Sequence, residues 1–69
     1  MPISVTLSAV LKDRGMKSKE LAQRIGITEA NLSLLRSGKV QGVRFETLGK
    51  ICQELNCQPA DLLCYEKNE

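Results

Sequence analysis

The feature that most constrains this sequence is the very short interval between two segments of helical periodicity. The first segment opens at Ser18 and closes at Gly26, and the second opens at Thr28 and closes at the Ser37-Gly38 pair. Ser18 and Thr28 are residue types that cap helix N-termini, while Gly26 readily adopts the positive φ that ends a helix and redirects the chain. A turn of about three residues forces the two predicted helices to cross steeply.

The apolar residues of these two segments fit such a crossing. The first helix needs a small side chain where the two backbones approach, and Ala22 occupies that position. Leu32 and Leu35, three residues apart, would then hold the second helix against the core. With both leucines inward, the second helix is expected to turn polar side chains outward.

Apolar periodicity predicts three further helices, at residues 7–14, 44–55 and 59–63. Phe45 falls on the apolar stripe of the longest of these, so we expect it in the core. Asn56 is suited to end that helix in a left-handed conformation. The predicted fold is therefore all-α, with five helices around one core.

The N-terminal segment ISVTL alternates apolar and polar side chains. This pattern leaves three alternatives, namely a frayed arm, the first turn of the first helix, or a short strand that pairs with a second copy of the chain. We expect a single domain over residues 1–69, with its core in residues 7–63. Residues 1–5 would form the arm or short strand, and residues 66–69 a polar tail.

The composition disfavours catalysis and a metal site. A chain of 69 residues is short for enclosing a catalytic pocket, and it contains no histidine, the commonest general base and metal ligand. Cys52, Cys57 and Cys64 form no C-x-x-C pair, so we expect neither a zinc site nor a disulfide. The prediction is a protein that is not an enzyme and needs no cofactor.

Hydropathy indicates a soluble protein, and the charge distribution leaves two alternatives, an ordinary solvated surface and a surface that binds a polyanion. Apolar runs are far shorter than the roughly 20 residues that span a bilayer, and nothing marks the N-terminus for export, so we expect the protein in the cytoplasm. Residues 1–44 carry eight basic and three acidic side chains, whereas residues 45–69 carry two basic and five acidic ones. A basic portion beside an acidic one suits a module that turns one face to a polyanion.

The second helix of the close pair carries polar side chains that are suited to reading DNA. An α-helix fits the major groove, where Asn can bond adenine, Arg guanine and Glu cytosine. The alternative is an ordinary solvated helix face. The predicted base-reading residues are Thr28, Glu29, Asn31, Ser33 and Arg36.

Phosphate contacts are expected on both flanks of this helix. Ser18 and Lys19 open the preceding helix, where free backbone amides and the helix dipole favour an anion. Lys39, Gln41 and Arg44 follow the second helix and form the other flank. The sequence thus predicts a base-reading helix between two phosphate-binding segments.

Several short motifs of the chain are typical of one family of regulators. They are Leu21-Ala22, Gly26-Ile27, Thr28, Arg36-Ser37-Gly38 and the segments RFETL and LNCQP. Through them, residues 7–63 resemble the lambda-repressor/Cro-type helix-turn-helix regulators, including the xenobiotic-response-element group. The resemblance implies a five-helix bundle with its helix-turn-helix at the second and third helices, sequence-specific operator binding and usually a homodimer. By position it also adds Ser37 to the phosphate contacts.

The predicted function is sequence-specific binding of double-stranded DNA by a transcriptional regulator, a repressor acting as a homodimer. The alternative is a protein-interaction module, such as an antitoxin-like or bridging subunit, because a fold does not fix a function. The dimer surface is left open between the N-terminal segment and the end of the last helix, and no small-molecule effector pocket is evident. Arg36 stands where many relatives have an acidic residue, which leaves its role open between a phosphate, a base edge and the surface.

Overall fold

The computed structural model describes residues 3–66, and within that range the chain forms five helices and two short strands. The elements in chain order are β1 (Ile3–Val5), α1 (Leu7–Arg14), α2 (Ser18–Ile25), α3 (Glu29–Ser37), α4 (Phe45–Leu55), α5 (Pro59–Leu62) and β2 (Leu63–Tyr65). Residues 1–2 of the predicted arm and residues 67–69 of the predicted tail lie outside the described residues. None of the helices in this range is long and apolar enough to cross a membrane.

Left-handed residues end α2 and α4 at the predicted places. Gly26 follows α2 with a φ of 78°, and its backbone N–H donates to the carbonyl of Ala22 at 2.9 Å. Asn56 follows α4 with a φ of 51°. Residues 26–28 alone connect α2 to α3, which confirms the predicted short turn.

The two predicted N-caps have different outcomes. Thr28 caps α3, because its hydroxyl oxygen accepts a hydrogen bond from the backbone N–H of Asn31 at 3.1 Å. The predicted cap at Ser18 is wrong, since Lys17 holds the N-cap position and Ser18 is the first residue inside α2. The Ser18 hydroxyl instead accepts a hydrogen bond from the guanidinium of Arg36.

One apolar core joins the five helices. The helix α2 packs against both α3 and α4, while α1 and α5 pack against α4 and against each other. Ala22 is 1% exposed, as the predicted close approach of α2 to a neighbouring helix requires. The buried core residues are Leu7, Leu11, Leu21, Ala22, Ile25, Leu32, Leu35, Ile51, Leu55 and Leu62.

The prediction that Phe45 lies in the core is wrong, because its side chain is 88% exposed. At about 100° per residue, Phe45 points about 100° away from the mean direction of Ile51 and Leu55, which are the buried residues of α4. Phe45 is also the first residue of α4. It therefore lies at the edge of the apolar stripe and at the end of the helix.

The five predicted helices are confirmed, but the fold is not strictly all-α. The strands β1 and β2 form an antiparallel ribbon with Ile3 opposite Tyr65 and Val5 opposite Leu63. The N-terminal strand thus pairs with the C-terminal part of its own chain, which was not among the three alternatives. Leu63, expected at the end of the last helix, begins β2 instead. Thr6 holds the ribbon against α5, since its backbone N–H donates to the carbonyl of Leu62 at 2.7 Å.

Arg14 connects α1 to the end of α4, and its loss should destabilise the fold. Its Nε donates to the carbonyl of Leu55 at 2.8 Å. This carbonyl lies at the C-terminal end of α4, where the negative end of the helix dipole also favours a cation. We expect Arg14→Ala to lower the free energy of unfolding by about 1 kcal/mol. The measurement is urea denaturation, with Lys12→Ala as the control on the exposed side of the same helix. Equal denaturation midpoints for the two variants would contradict this role.

Candidate DNA-binding surface

The exposed side of α3 carries a row of small and apolar residues. Leu32 and Leu35 are 0% and 8% exposed, and they fix which side of α3 faces the core. A row of exposed residues lies on the opposite side of α3. Each of them points at least about 130° around the helix axis from the mean direction of the two leucines. We refer to this row as the outer ridge, and it consists of Ala30, Ser33, Leu34 and Ser37.

Most of the predicted base-reading residues lie beside the outer ridge. Thr28, Glu29, Asn31 and Ser33 are all exposed, and Ser33 belongs to the ridge itself. Glu29 and Asn31 are two residues apart, so they project to opposite sides of α3. The structure therefore groups these four residues around the N-terminal half of α3, on three sides of the helix.

Sequence reasoning missed two residues of the outer ridge, Ala30 and Leu34. It selected side chains by polarity, whereas the angular position relative to Leu32 and Leu35 would have identified both. Leu34 is 47% exposed, which leaves much of an apolar side chain in solvent at the centre of the ridge. In the major groove, an apolar side chain is suited to contact the methyl group of thymine.

Arg36 is half-buried and points to one side of the outer ridge. Its Nε donates to the hydroxyl of Ser8 in α1 at 3.0 Å, and its Nη1 donates to the hydroxyl of Ser18 in α2. These two hydrogen bonds connect α3 to both preceding helices. The structure thus does not place Arg36 with the exposed residues at the N-terminal end of α3, where the sequence-based prediction grouped it.

The predicted phosphate-binding residues lie on both flanks of α3. Lys19 is exposed in the first turn of α2, and Lys39, Gln41 and Arg44 are exposed between α3 and α4. The Ser37 hydroxyl donates to the carbonyl of Leu34 at 2.9 Å. Within residues 3–66, Lys19, Lys39 and Arg44 have no carboxylate within 4.0 Å, so their positive charges face solvent unpaired.

A cleft of about 410 Å³ lies between α3 and the loop that leads to α4. Asn31 and Arg44 both line it, although they are distant in sequence. A predicted base-reading residue and a predicted phosphate-binding residue therefore lie at the same opening. This arrangement is what a helix in the major groove and an adjacent backbone contact require.

The described residues contain no group of three His, Cys, Asp or Glu side chains that could hold a metal ion. Cys52, Cys57 and Cys64 are free cysteines. Cys57 lies close to Cys52, since its backbone N–H donates to the Cys52 carbonyl at 3.1 Å. Burial raises the pKa of the Cys57 thiol, and the neighbouring Cys52 raises it further, so thiolate is disfavoured at neutral pH.

Two short helices joined by residues 26–28, the second with an exposed ridge between basic flanks, define a helix-turn-helix DNA-binding domain. The chain belongs to the family of Cro/C1-type HTH DNA-binding domains, whose model matches residues 6–68. It is therefore a Cro/C1-type DNA-binding transcriptional regulator.

Two relatives agree with this family. The chain is 45% identical over 69 residues to YozG, an uncharacterized HTH-type transcriptional regulator of Bacillus subtilis (strain 168), and the match covers 100% of this chain and 82% of YozG. Its backbone is similar to the crystal structure of a Bacteroides fragilis protein that has been proposed to bind DNA. That similarity has a TM-score of 0.79 at 26% identity, and it covers 90% of this chain and 98% of the other.

Proposed function

We propose that the protein recognises one operator sequence in double-stranded DNA and represses transcription by occupying it as a homodimer in the cytoplasm. The observation that carries this proposal is the outer ridge of α3, which is exposed along its length and lies between unpaired cations. Such a surface can enter the major groove while its flanks contact the two phosphate backbones. Repression then needs no chemistry, because a bound protein excludes polymerase.

Base recognition is assigned to the N-terminal half of α3 and to Ala30, Ser33 and Leu34 of the outer ridge. Asn31 can make a bidentate contact to adenine, and Glu29 can accept a hydrogen bond from cytosine. Ala30 and Leu34 supply the apolar contacts that distinguish thymine by its methyl group. Thr28 and Ser33 add hydroxyl groups that can bond to either kind of base edge.

Phosphate binding is assigned to the two flanks of α3. Lys19 and the N-terminus of α2 approach one backbone, while Lys39 and Arg44 approach the other. The same flanks contain three polar residues that are also assigned to phosphate binding, Ser18, Ser37 and Gln41. These contacts set the register of the protein on DNA but carry no sequence information.

A homodimer accounts for how so small a domain reaches useful specificity. One module of this kind buries only about 600–1,000 Å² on DNA, and two copies read two half-sites about 34 Å apart. The selected operator should then contain an inverted repeat. Light scattering can test the assembly, because the single chain has a mass of 7.6 kDa. A monomer on DNA that selects no repeated half-site would contradict the dimer.

The function as a whole is tested by selecting binding sites from random duplex DNA and titrating them at several salt concentrations. For a protein that neutralises phosphates, the affinity falls steeply with salt, with a log–log slope of about −0.9 for each phosphate contact. Selection should also enrich one sequence over the starting pool. A flat salt response without enrichment would overturn the proposal and favour the protein-interaction module.

Two variants separate base reading from phosphate binding. Asn31→Ala should weaken binding to the selected operator by about 1 to 3 kcal/mol and relax the preference at one base pair. Lys39→Ala should weaken binding to selected and random DNA alike and make the salt slope shallower by about 0.9. Fluorescence anisotropy on both kinds of duplex measures these effects. Identical behaviour of the two variants on both duplexes would contradict the assignment.

A further inference from the structure

A second, smaller pocket lies beside α3, on the side that faces α1. It has a volume of about 230 Å³ and is lined by Ser8, Ser33, Arg36 and Ser37. Its lining thus combines three hydroxyl groups with one guanidinium. Ser33 belongs both to this pocket and to the outer ridge, so the pocket opens at the edge of the proposed DNA-binding surface.

The guanidinium of Arg36 carries a charge that no carboxylate of residues 3–66 neutralises within 4.0 Å. Arg14 and Arg24 are both paired, the former with Asp13 and the latter with Glu20 and Glu54. Arg36 is also half-buried, which makes an unpaired charge more costly than it is in full contact with water. An anion in the pocket would offset that cost.

The pocket has a surplus of hydrogen-bond donors. A guanidinium has five N–H donors, and Arg36 uses one each for the hydroxyl oxygens of Ser8 and Ser18. Because those two oxygens accept from Arg36, their own hydrogens are free to be donated elsewhere. Ser33 adds another hydroxyl at the edge of the pocket. The matching ligand is a compact anion with several acceptor oxygens, which describes a phosphate group.

We propose that Arg36, together with the hydroxyl of Ser8, binds one phosphate group, and that on DNA this group is a phosphodiester of the backbone. The inference rests on the proposed function and deepens it by assigning Arg36 to the backbone instead of a base edge. The hydrogen bond to Ser18 then aligns the guanidinium with the start of α2, the same end of that helix at which amide groups favour an anion.

The test compares Arg36→Gln with Arg24→Gln, which removes the same charge from an arginine already paired with two glutamates. Arg36→Gln should weaken binding to a random-sequence duplex about tenfold and make the salt slope shallower by about 0.9. Its base preference in a selection experiment should equal that of the wild type, and Arg24→Gln should leave both slope and affinity unchanged. An unchanged slope with Arg36→Gln, or a changed preference at one base pair, would overturn the inference.

The variant Arg36→Lys, together with thermal unfolding, distinguishes phosphate binding by Arg36 from a purely structural role. Lysine keeps the charge but cannot bond to two hydroxyls in the same fork, so the variant should melt at a lower temperature and retain the wild-type salt slope. If the salt slope of Arg36→Lys becomes as shallow as that of Arg36→Gln, the change in slope is caused by the loss of stability. The assignment of Arg36 to a phosphate is then overturned.

Failure of this inference is distinct from failure of the proposed function. A wild-type protein with a steep salt slope that Arg36→Gln does not change binds DNA without this pocket. A wild-type protein with no salt-dependent duplex binding overturns both proposals. The source of the anion is tested by titrating the ¹⁵N-labelled protein with inorganic phosphate at constant ionic strength. Chemical-shift changes at the Arg36 Nε–H, in a protein that does not bind duplex DNA, would show that the pocket is a site for free phosphate only.

Discussion

Replacing Leu32 by alanine is expected to lower the free energy of unfolding by about 2 to 5 kcal/mol. Leu32 is 0% exposed and is one of the two leucines that hold α3 against the core. The substitution removes buried methyl groups and leaves a cavity that the surrounding helices can fill only in part. At about 0.05 to 0.15 kcal/mol per residue, a domain of this length has a total stability of only about 3 to 10 kcal/mol. A large share of the variant molecules should therefore be unfolded at 37 °C.

Leu34→Ala is the matched control for this prediction. It makes the same chemical change two residues later in the same helix, at a side chain that is 47% exposed on the outer ridge. We expect a loss of stability below about 1 kcal/mol, because exposed substitutions leave no cavity. The same variant should lose preference for thymine at one position of the selected operator. Urea denaturation followed by circular dichroism measures the stabilities, and equal losses for the two variants would contradict the assigned orientation of α3.

The helix pair could be predicted from the sequence because its signals are local. Gly26 ends one helix, Thr28 begins the next, and the apolar spacing of Leu32 and Leu35 fixes which side is inward. Each of these signals depends on residues within about one helical turn, and such signals are only weakly affected by the rest of the fold. The same holds for Asn56 at the end of α4.

The ribbon could not be predicted in this way, because it depends on a contact between the two ends of the chain. Strand β1 has the alternation of a strand, but three residues do not specify a partner. Strand β2 follows α5 without any turn residue, so Leu63 was interpreted as the end of that helix. The exposure of Phe45 has a local cause instead, because this first residue of α4 points about 100° away from the mean direction of Ile51 and Leu55.

The exposure of the candidate site on α3 could be predicted from the sequence, whereas the contacts of its residues with DNA stay a prediction. The flanking cations and the polar residues near Thr28 followed from residue type and order along the chain. Ala30 and Leu34 were missed because candidate residues were selected by polarity, although only one side of α3 can pack against the core and apolar residues on the other side stay exposed. The position of Arg36 depends on Ser8 in another helix, and nothing in its own segment indicates that contact.

Gly26→Val is expected to lower the free energy of unfolding by about 1 to 3 kcal/mol. Gly26 has a φ of 78°, a conformation that β-branched side chains strongly disfavour. A Cβ atom placed there would meet no other atom within 4 Å, so the expected loss comes from the backbone and not from a clash. Because this residue redirects the chain from α2 to α3, the variant should also bind operator DNA less tightly than its folded fraction alone explains.

Gly26→Asn separates backbone strain from every other effect of adding a side chain. Asparagine tolerates the left-handed conformation, and this chain already uses Asn56 at a φ of 51° to end α4. The asparagine variant should therefore lose well under half the stability that the valine variant loses, and it should retain operator binding. Equal losses in urea denaturation would mean that the cost does not arise from the positive φ. The turn would then tolerate another backbone conformation at residue 26. The angle between α2 and α3, which sets the position of the outer ridge, would have to be fixed by something other than Gly26.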